Sequence, residues 1–107
     1  MSFALVQLNG TSPGNSLPLD PNAPPVTLGR DPARDFPIDD HMCSRLHCRL
    51  WYDGNCWRVE DCSSSNGTYL NSRKIDQDIM QPGDAIRIGD RLFVLIQQGE
   101  DVTNTGW

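Results

Sequence analysis

The segment "DCSSSNGTYLN", residues 61–71, contains more small polar residues than a tight turn needs. Its Asn66–Gly67 pair is typical of a two-residue hairpin turn, because both residues tolerate a positive φ. Here three serines precede the pair and Thr68 follows it, before two apolar residues lead to Asn71. The segment is therefore either a long turn or a loop that holds a ligand, and the rest of the chain decides between them.

Short apolar runs separated by Gly and Pro surround this segment, and no run has the length and period of an amphipathic helix. The pattern predicts about ten short strands and hence an all-β sandwich or barrel. The segments predicted to be strands are FALVQL (3–8), SLPLD (16–20), VTLGR (26–30), FPID (36–39), CRLWY (48–52), CWRVED (56–61), GTYL (67–70), AIRIG (85–89) and RLFVLIQ (91–97).

Alternation along three of these strands predicts which side chains share a face. In the first strand they are Ala4, Val6 and Leu8, and in CRLWY they are Cys48, Leu50 and Tyr52. In CWRVED, Trp57 and Val59 are expected to point into the core. FPID is expected at a sheet edge, because Pro37 cannot donate a ladder hydrogen bond.

Composition limits the classes of function. The 107 residues make up one domain, and 37% hydrophobic content is too high for a disordered chain. The net charge of −5 argues against a nucleic-acid partner. We expect no membrane association, because the chain has neither a signal-peptide pattern nor a long apolar run, and we therefore expect a cytoplasmic protein.

The four cysteines include no Cys-x-x-Cys pair, so we expect no zinc site and no other metal or cofactor. Because the sequence shows no secretion signal, we expect the thiols to be reduced.

In a β-sandwich, functional residues usually lie in loops at one end, and the three loops to consider are 30–35, 39–47 and 61–68. Guanidinium groups, hydroxyls and an amide suit a dianionic phosphate, because arginine donates charge-assisted bonds and hydroxyls satisfy the remaining oxygens. The segments "SRLH" and "SSSNGT" contain no acidic residue. The candidate ligand-binding residues are Arg30, Ser44, Arg45, His47, Ser65, Asn66 and Thr68.

Four motifs together resemble the forkhead-associated (FHA) domain family: "LGR" (28–30), "SRLHCRL" (44–50), "DCSSSNGTYLN" (61–71) and "QPGDAIRIGD" (81–90). The resemblance covers residues 3–97. It implies an eleven-stranded β-sandwich of the FHA/SMAD-like type with its ligand loops at one end. The domain is then expected to span residues 1–98, followed by a flexible tail at 99–107.

The resemblance also implies a role for each matched residue. Arg30, Ser44 and Ser65 would contact the phosphate of a phosphothreonine, with Arg45 beside it, and Asn66 would hold the adjacent peptide main chain. Gly29, His47, Gly67, Thr68 and Asn71 would belong to the loop architecture. Met42, two residues before the site serine, would select an apolar side chain at the third residue after the phosphothreonine. The implied partner is a phosphothreonine-containing protein, the substrate of a Ser/Thr kinase in a signalling pathway.

Four alternatives remain at this point. Ser44, His47 and Asp61 could form a hydrolase triad, but the chain lacks a Gly-x-Ser-x-Gly elbow, and we expect no catalysis. The sandwich could bind a partner independently of phosphate. Within the site, Arg45 could instead pair with Asp39 or Asp40, and Asn66 could merely supply a positive φ before Gly67.

Overall fold

The computed structural model describes residues 2–98 and contains eleven β-strands and no helix in that range. Accordingly, the described residues include no helix that is long and apolar enough to cross a membrane. The expected tail, residues 99–107, lies outside the described residues. The strands are β1 (Ser2–Gln7), β2 (Ser16–Leu19), β3 (Val26–Gly29), β4 (Phe36–Pro37), β5 (Cys48–Tyr52), β6 (Trp57–Asp61), β7 (Thr68–Leu70), β8 (Arg73–Ile75), β9 (Gln77–Met80), β10 (Ala85–Ile88) and β11 (Arg91–Gln98).

The strands form two sheets that pack face to face, as the sandwich prediction requires. One sheet has six strands in the order β2-β1-β11-β10-β7-β8, and the other has five in the order β4-β3-β5-β6-β9. The pair β3–β4 is parallel and the other pairs are antiparallel. The strand β4, which carries Pro37, lies at a sheet edge, as predicted.

Inward-facing side chains from both sheets make one core, and aromatic pairs join the sheets. The Phe36 and Phe93 rings, one from each sheet, meet edge to face with centroids 5.2 Å apart. The predicted inward face of β6 is confirmed, since Trp57 and Val59 are buried. The buried apolar residues are Leu5, Leu19, Leu28, Phe36, Ile38, Cys43, Cys48, Leu50, Trp57, Val59, Leu70, Ile75, Met80, Ile86, Ile88, Phe93 and Leu95.

The core-facing side of β1 carries Leu5 and Gln7 rather than the more apolar set Ala4, Val6 and Leu8. Leu5 is fully buried, whereas Leu8 lies beyond the end of the strand and is 50% exposed. Both faces of this strand are apolar enough to be buried, so alternation alone does not choose between them. Gln7 can turn inward because its side-chain amide donates to the Asn9 carbonyl at 2.7 Å.

Two strands, β8 and β9, have no counterpart among the segments predicted from alternation. Both lie at sheet edges. Each buries a single side chain, Ile75 in β8 and Met80 in β9, and the rest of each strand is polar or exposed. An edge strand with one buried side chain gives little periodic signal, which explains why the pattern missed them.

The two-sheet arrangement brings the candidate loops to one end of the molecule. Leu28 near the end of β3 pairs with Cys48 at the start of β5, and Cys48 pairs with Asp61 at the end of β6. In the other sheet, Thr68 at the start of β7 pairs with Ile88 at the end of β10. The loops that leave these strand ends therefore meet at the same end of the sandwich.

Candidate functional site

The three loops surround an open cleft of about 240 Å³ at this end of the sandwich. All five residues predicted to bind a phosphopeptide line it, together with the specificity candidate Met42. The complete lining is Arg30, His41, Met42, Cys43, Ser44, Arg45, Ser65 and Asn66. Residues that are up to 36 positions apart in the chain thus share one surface.

The first loop is held against the second by a close backbone approach at Gly29. A Cβ atom on Gly29 would lie 2.0 Å from the Arg45 carbonyl oxygen, which no side chain can occupy. Next to it, the Arg30 amide donates to the Ser44 carbonyl at 2.9 Å. Glycine is thus required at position 29 because a Cβ atom does not fit there, and not because the backbone has an unusual φ. The predicted role of Gly29 in the loop architecture therefore has a steric cause.

The second loop is joined to the third by His47, whose side chain is fully buried. Its Nδ1 accepts from the Ser44 amide at 3.0 Å, and its Nε2 lies 2.8 Å from the Gly67 carbonyl oxygen. Because Nδ1 accepts, Nε2 carries the proton and donates to Gly67. Both ring nitrogens are therefore occupied by backbone groups, and the ring does not serve the Ser44 hydroxyl as a triad histidine would.

Two further bonds across the cleft orient the predicted ligand-binding side chains. The Ser65 amide donates to Ser44 Oγ at 3.0 Å, and Asn66 Nδ2 donates to the Met42 carbonyl at 2.8 Å. Ser44 consequently keeps its hydroxyl proton to donate, and Asn66 keeps its Oδ1 to accept. The Ser44 hydroxyl suits a phosphate oxygen, and the Asn66 Oδ1 suits a peptide N–H.

The two cleft arginines have donors to spare. Arg30 is fixed by one bond, from Nε to the Cys43 carbonyl at 3.1 Å, and is otherwise exposed. Within residues 2–98 neither Arg30 nor Arg45 forms an ion pair. The alternative pairing of Arg45 with Asp39 or Asp40 is not seen.

Asp40 is instead used to fix the backbone beneath the cleft. It is buried, and its carboxylate accepts from the Met42 and Asp90 amides and lies 3.8 Å from Arg91 Nη1. The hydrogen bond from the Met42 amide is the main reason why its pKa lies below the usual range. Asp40 therefore connects the second loop to the turn between β10 and β11.

One acidic residue, Asp31, lies at the rim and was not considered from sequence. It lines a neighbouring cleft of about 310 Å³ with Arg30, Pro32 and Arg45. Its carboxylate accepts from the Ala33 amide and from Arg34, and the Ala33 bond is the largest cause of its lowered pKa. Asp31 therefore adds a local negative charge beside the two cleft arginines.

Asp61 organises the third loop from below. Its carboxylate accepts from the Ser64 amide and hydroxyl and, at 2.8 Å, from the hydroxyl of the buried Thr68. Partial burial raises the pKa of Asp61, but the hydrogen bonds from Ser64 and Thr68 outweigh it and hold the pKa below its ordinary value. Sequence reasoning considered Asp61 only as a triad member, whereas its partners are loop hydroxyls and amides.

This arrangement makes the stability of the third loop depend on pH. Because the folded-state pKa of Asp61 is lowered, its stabilising contribution is present above the unfolded-state value near 4 and is lost as pH falls through the folded-state pKa. Replacing Asp61 with Asn should remove that part of the dependence. Urea unfolding between about pH 5 and pH 3 should show wild type losing more stability than Asp61→Asn, and parallel losses would contradict this role.

Two residues of the predicted loop architecture remain, Gly67 and Asn71. Gly67 lies at the site, whereas Asn71 lies at the opposite end of β7. Gly67 has a φ of 87°, which a residue with a side chain adopts only with strain. Asn71 lies beyond β7, where its Nδ2 donates to Asp84 at 3.1 Å and its Oδ1 accepts from the Ala85 amide at 3.0 Å. Asn71 thus fixes the β7–β8 turn to β10 and does not reach the cleft.

The cysteines in the described part of the chain are free, and burial raises the pKa of Cys43, which lines the cleft, to about 12. Among residues 2–98 no cluster of three or more His, Cys, Asp or Glu side chains is arranged to hold a metal ion.

The sequence is similar to bacterial regulatory proteins. It is 34% identical to the glycogen accumulation regulator GarA of Mycobacterium tuberculosis over 98% of this chain, and 38% identical to the oxoglutarate dehydrogenase inhibitor of Corynebacterium glutamicum over 89% of it. In both cases the match spans 65% of the relative's length. The chain thus corresponds to about two thirds of each curated relative.

The structural comparisons and the family match agree with this sequence similarity. The FHA domain of the CT664 protein from Chlamydia trachomatis superposes with a TM-score of 0.83 at 28% identity, covering 92% of this chain and all of that one. An FHA domain from work on phosphothreonine-dependent FHA interactions gives a TM-score of 0.81 at 25% identity, covering 92% and 99%. The FHA domain model matches residues 26–89, more than half of the chain. The chain therefore belongs to the FHA domain family, whose members bind phosphothreonine.

Proposed function

We propose that this FHA domain docks phosphorylated partner proteins by holding a phosphothreonine in the cleft lined by Arg30, Ser44, Arg45, Ser65 and Asn66. The observation that best supports this proposal is that the cleft contains cationic and hydroxyl donors that remain available for a ligand. The two arginines that line the cleft have no carboxylate partner within residues 2–98, and two serine hydroxyls lie beside them. A dianionic phosphate would satisfy several of these donors at once.

Each side chain would then have a distinct task. Arg30 would bind the phosphate oxygens with the guanidinium nitrogens that its bond to Cys43 leaves available. Ser44 and Ser65 would donate their hydroxyl protons. Arg45, which is exposed and faces the same cleft, would add charge from the rim. Burial in a cleft would make these charge-assisted bonds stronger than the same contacts in water.

Asn66 would hold the peptide rather than the phosphate. Its amide nitrogen donates to the Met42 carbonyl, which orients Oδ1 for a main-chain N–H of the ligand. Met42 lies next to it, is 40% exposed and offers a flexible apolar surface. We propose that this surface favours an apolar side chain at the third residue after the phosphothreonine.

In the cell the domain would act through binding alone, on the substrate of a Ser/Thr kinase. The names of its relatives, a regulator and an inhibitor, support a binding role rather than a catalytic one. The free thiols of the described cysteines fit a reducing compartment, so we propose that this binding takes place in the cytoplasm.

The proposal can be tested with a degenerate peptide pool that carries a fixed central phosphothreonine, and with matched pools that carry Thr, Asp or Glu. The phosphothreonine pool should bind, and neither carboxylate pool should replace it. Phosphate carries about −1.5 to −2 charge and three acceptor oxygens, whereas a carboxylate has one charge and two oxygens. Calorimetry that gives an Asp peptide an affinity within a few-fold of its phosphothreonine equivalent would contradict the proposal.

The second candidate function is a phosphate-independent interaction on the same sandwich. The exposed Leu8 and the half-buried Val6 and Ile96 on the outer face of the six-stranded sheet favour it. A partner captured equally well with and without phosphorylation, and unaffected by substitution of Arg30, would establish this function instead.

A further inference from the structure

A row of three side chains crosses the outer face of the six-stranded sheet beside the Asn66–Gly67 turn. Tyr69 in β7 pairs with Lys74 in β8 on one side and with Arg87 in β10 on the other. Directly paired residues of neighbouring strands share a face, so these three side chains lie side by side. We call Lys74, Tyr69 and Arg87 the basic row.

The basic row adjoins the phosphothreonine cleft. A Cβ atom on Gly67 would lie 2.8 Å from Lys74 Cε and 3.5 Å from Tyr69 Cε1, so the lysine stem covers the residue next to Asn66. At the other end of the row, Arg87 Nη1 donates to the Gly89 carbonyl at 3.0 Å. A Cβ on Gly89 would lie 3.1 Å from Met42 Cβ, so this end also borders the cleft.

Within residues 2–98 no carboxylate forms an ion pair with the cations of the row. Five arginines in residues 2–98 have a carboxylate oxygen within 4.0 Å, namely Arg34, Arg49, Arg58, Arg73 and Arg91. The cations in that range without one are Arg30, Arg45, Lys74 and Arg87. Two of these line the cleft and two form the row. A chain of net charge −5 thus concentrates its unpaired cations around one site.

Part of the row is already ordered. The Arg87 guanidinium stacks over the Tyr69 ring, 4.2 Å from its centroid, and is also tied to Gly89. A cation held by stacking and by a hydrogen bond loses little conformational freedom when it binds an anion. Asp40, whose Oδ2 would lie 2.8 Å from a Cβ on Gly89, is already engaged by Arg91 and two backbone amides.

We propose that the basic row binds a second acidic side chain of the phosphopeptide, either a carboxylate or another phosphate, and so selects partners with an acidic residue flanking the phosphothreonine. This inference rests on the proposed function, because it requires the peptide to lie across Asn66. It assigns a specificity role to residues on the six-stranded sheet, whereas Arg30 and Arg45 belong to loops of the five-stranded sheet.

The test uses phosphothreonine peptides in which one position at a time, from the fourth before to the fourth after the phosphothreonine, is Gln, Glu or phosphoserine. Titrations compare wild type with Lys74→Met, Arg87→Gln and the variant that carries both changes. The matched control is Arg49→Gln/Arg73→Gln, which removes two charges from ion-paired surface positions outside the row.

At low salt, wild type should bind the Glu peptide about threefold to tenfold more tightly than the Gln peptide. This preference should occur at one substituted position or at two neighbouring positions. The preference should disappear in Lys74→Met/Arg87→Gln and persist in the control. A larger gain for phosphoserine than for Glu would identify the anion as a second phosphate, and an equal or smaller gain would identify it as a carboxylate.

The basic row would be overturned as a subsite by the lack of a Glu preference at every position in wild type, or by a preference that survives in the double variant. An equal loss in the Arg49→Gln/Arg73→Gln control would also overturn it, because the effect would then be one of net charge. In each case wild type still distinguishes phosphothreonine from threonine. Failure of that distinction would instead contradict the proposed function itself.

Discussion

Arg30→Ala should weaken phosphothreonine peptide binding by about 30-fold to several thousand-fold, because removing one partner of a desolvated charge pair costs about 2–5 kcal/mol. Arg30 lines the cleft, and within residues 2–98 its side chain forms a single hydrogen bond, from Nε to the Cys43 carbonyl. The side chain is exposed and packs into no core, so the free energy of unfolding should change little. Calorimetry of the peptide and urea unfolding of the variant measure the two quantities.

Arg30→Lys is the matched control, because it keeps the charge and removes the planar pair of donors. It should bind more tightly than Arg30→Ala and more weakly than wild type. Unchanged affinity in a folded Arg30→Ala domain would remove Arg30 from the site. Equal affinities for Arg30→Lys and Arg30→Ala would show that a positive charge at position 30 is not sufficient for the contribution of Arg30 to binding.

Gly29→Ala should impair both stability and binding. The added Cβ would lie 2.0 Å from the Arg45 carbonyl oxygen and 2.7 Å from its carbon, and both are backbone atoms that cannot rotate away. The first two loops would have to separate, which would break the bond from the Arg30 amide to the Ser44 carbonyl. Overpacking of this kind costs about 1–3 kcal/mol or more. Urea unfolding and peptide titration should both change.

Gly14→Ala is the control for the general cost of replacing a turn glycine. Gly14 has a φ of 88° and no atom within 4 Å of an added Cβ, so only backbone strain is expected there, with no loss of peptide affinity. If Gly29→Ala bound the phosphopeptide as wild type does, the close approach of the two loops would not be needed to build the cleft.

The fold class and the residues that line the cleft could be predicted from the sequence, and there is a specific reason for this. The strands that hold the loops, such as β5 and β6, are central and bury alternate residues, so their periodicity is strong. The loops that leave these strands at the cleft carry more small polar residues than a tight turn needs. Arg30, Ser44, Arg45, Ser65 and Asn66 do line one cleft, although their contacts with a ligand stay a prediction.

The features that could not be predicted depend on contacts between distant segments. Whether Leu5 or Val6 faces the core is decided by which face of the sheet meets the other sheet, and both faces of β1 are apolar. The partners of Asp61 and His47 are fixed by loop geometry, which a linear pattern does not contain. The lack of a carboxylate partner for Lys74 within residues 2–98 likewise depends on where the carboxylates of distant segments lie.

The central claim is that the cleft reads phosphothreonine and not merely an anion, and the most direct measurement compares phosphothreonine and phosphoserine in one peptide. The phosphate contacts are common to both ligands, so discrimination must come from the extra methyl group and from the stiffer χ1 of threonine. A methyl-sized difference in a fitted pocket is worth about 1–3 kcal/mol. Side-by-side calorimetry should therefore give phosphothreonine an advantage of about 10-fold to 200-fold. Affinities within about threefold of each other, or comparable binding of inorganic phosphate, would contradict the claim, because a generic anion site would behave in that way.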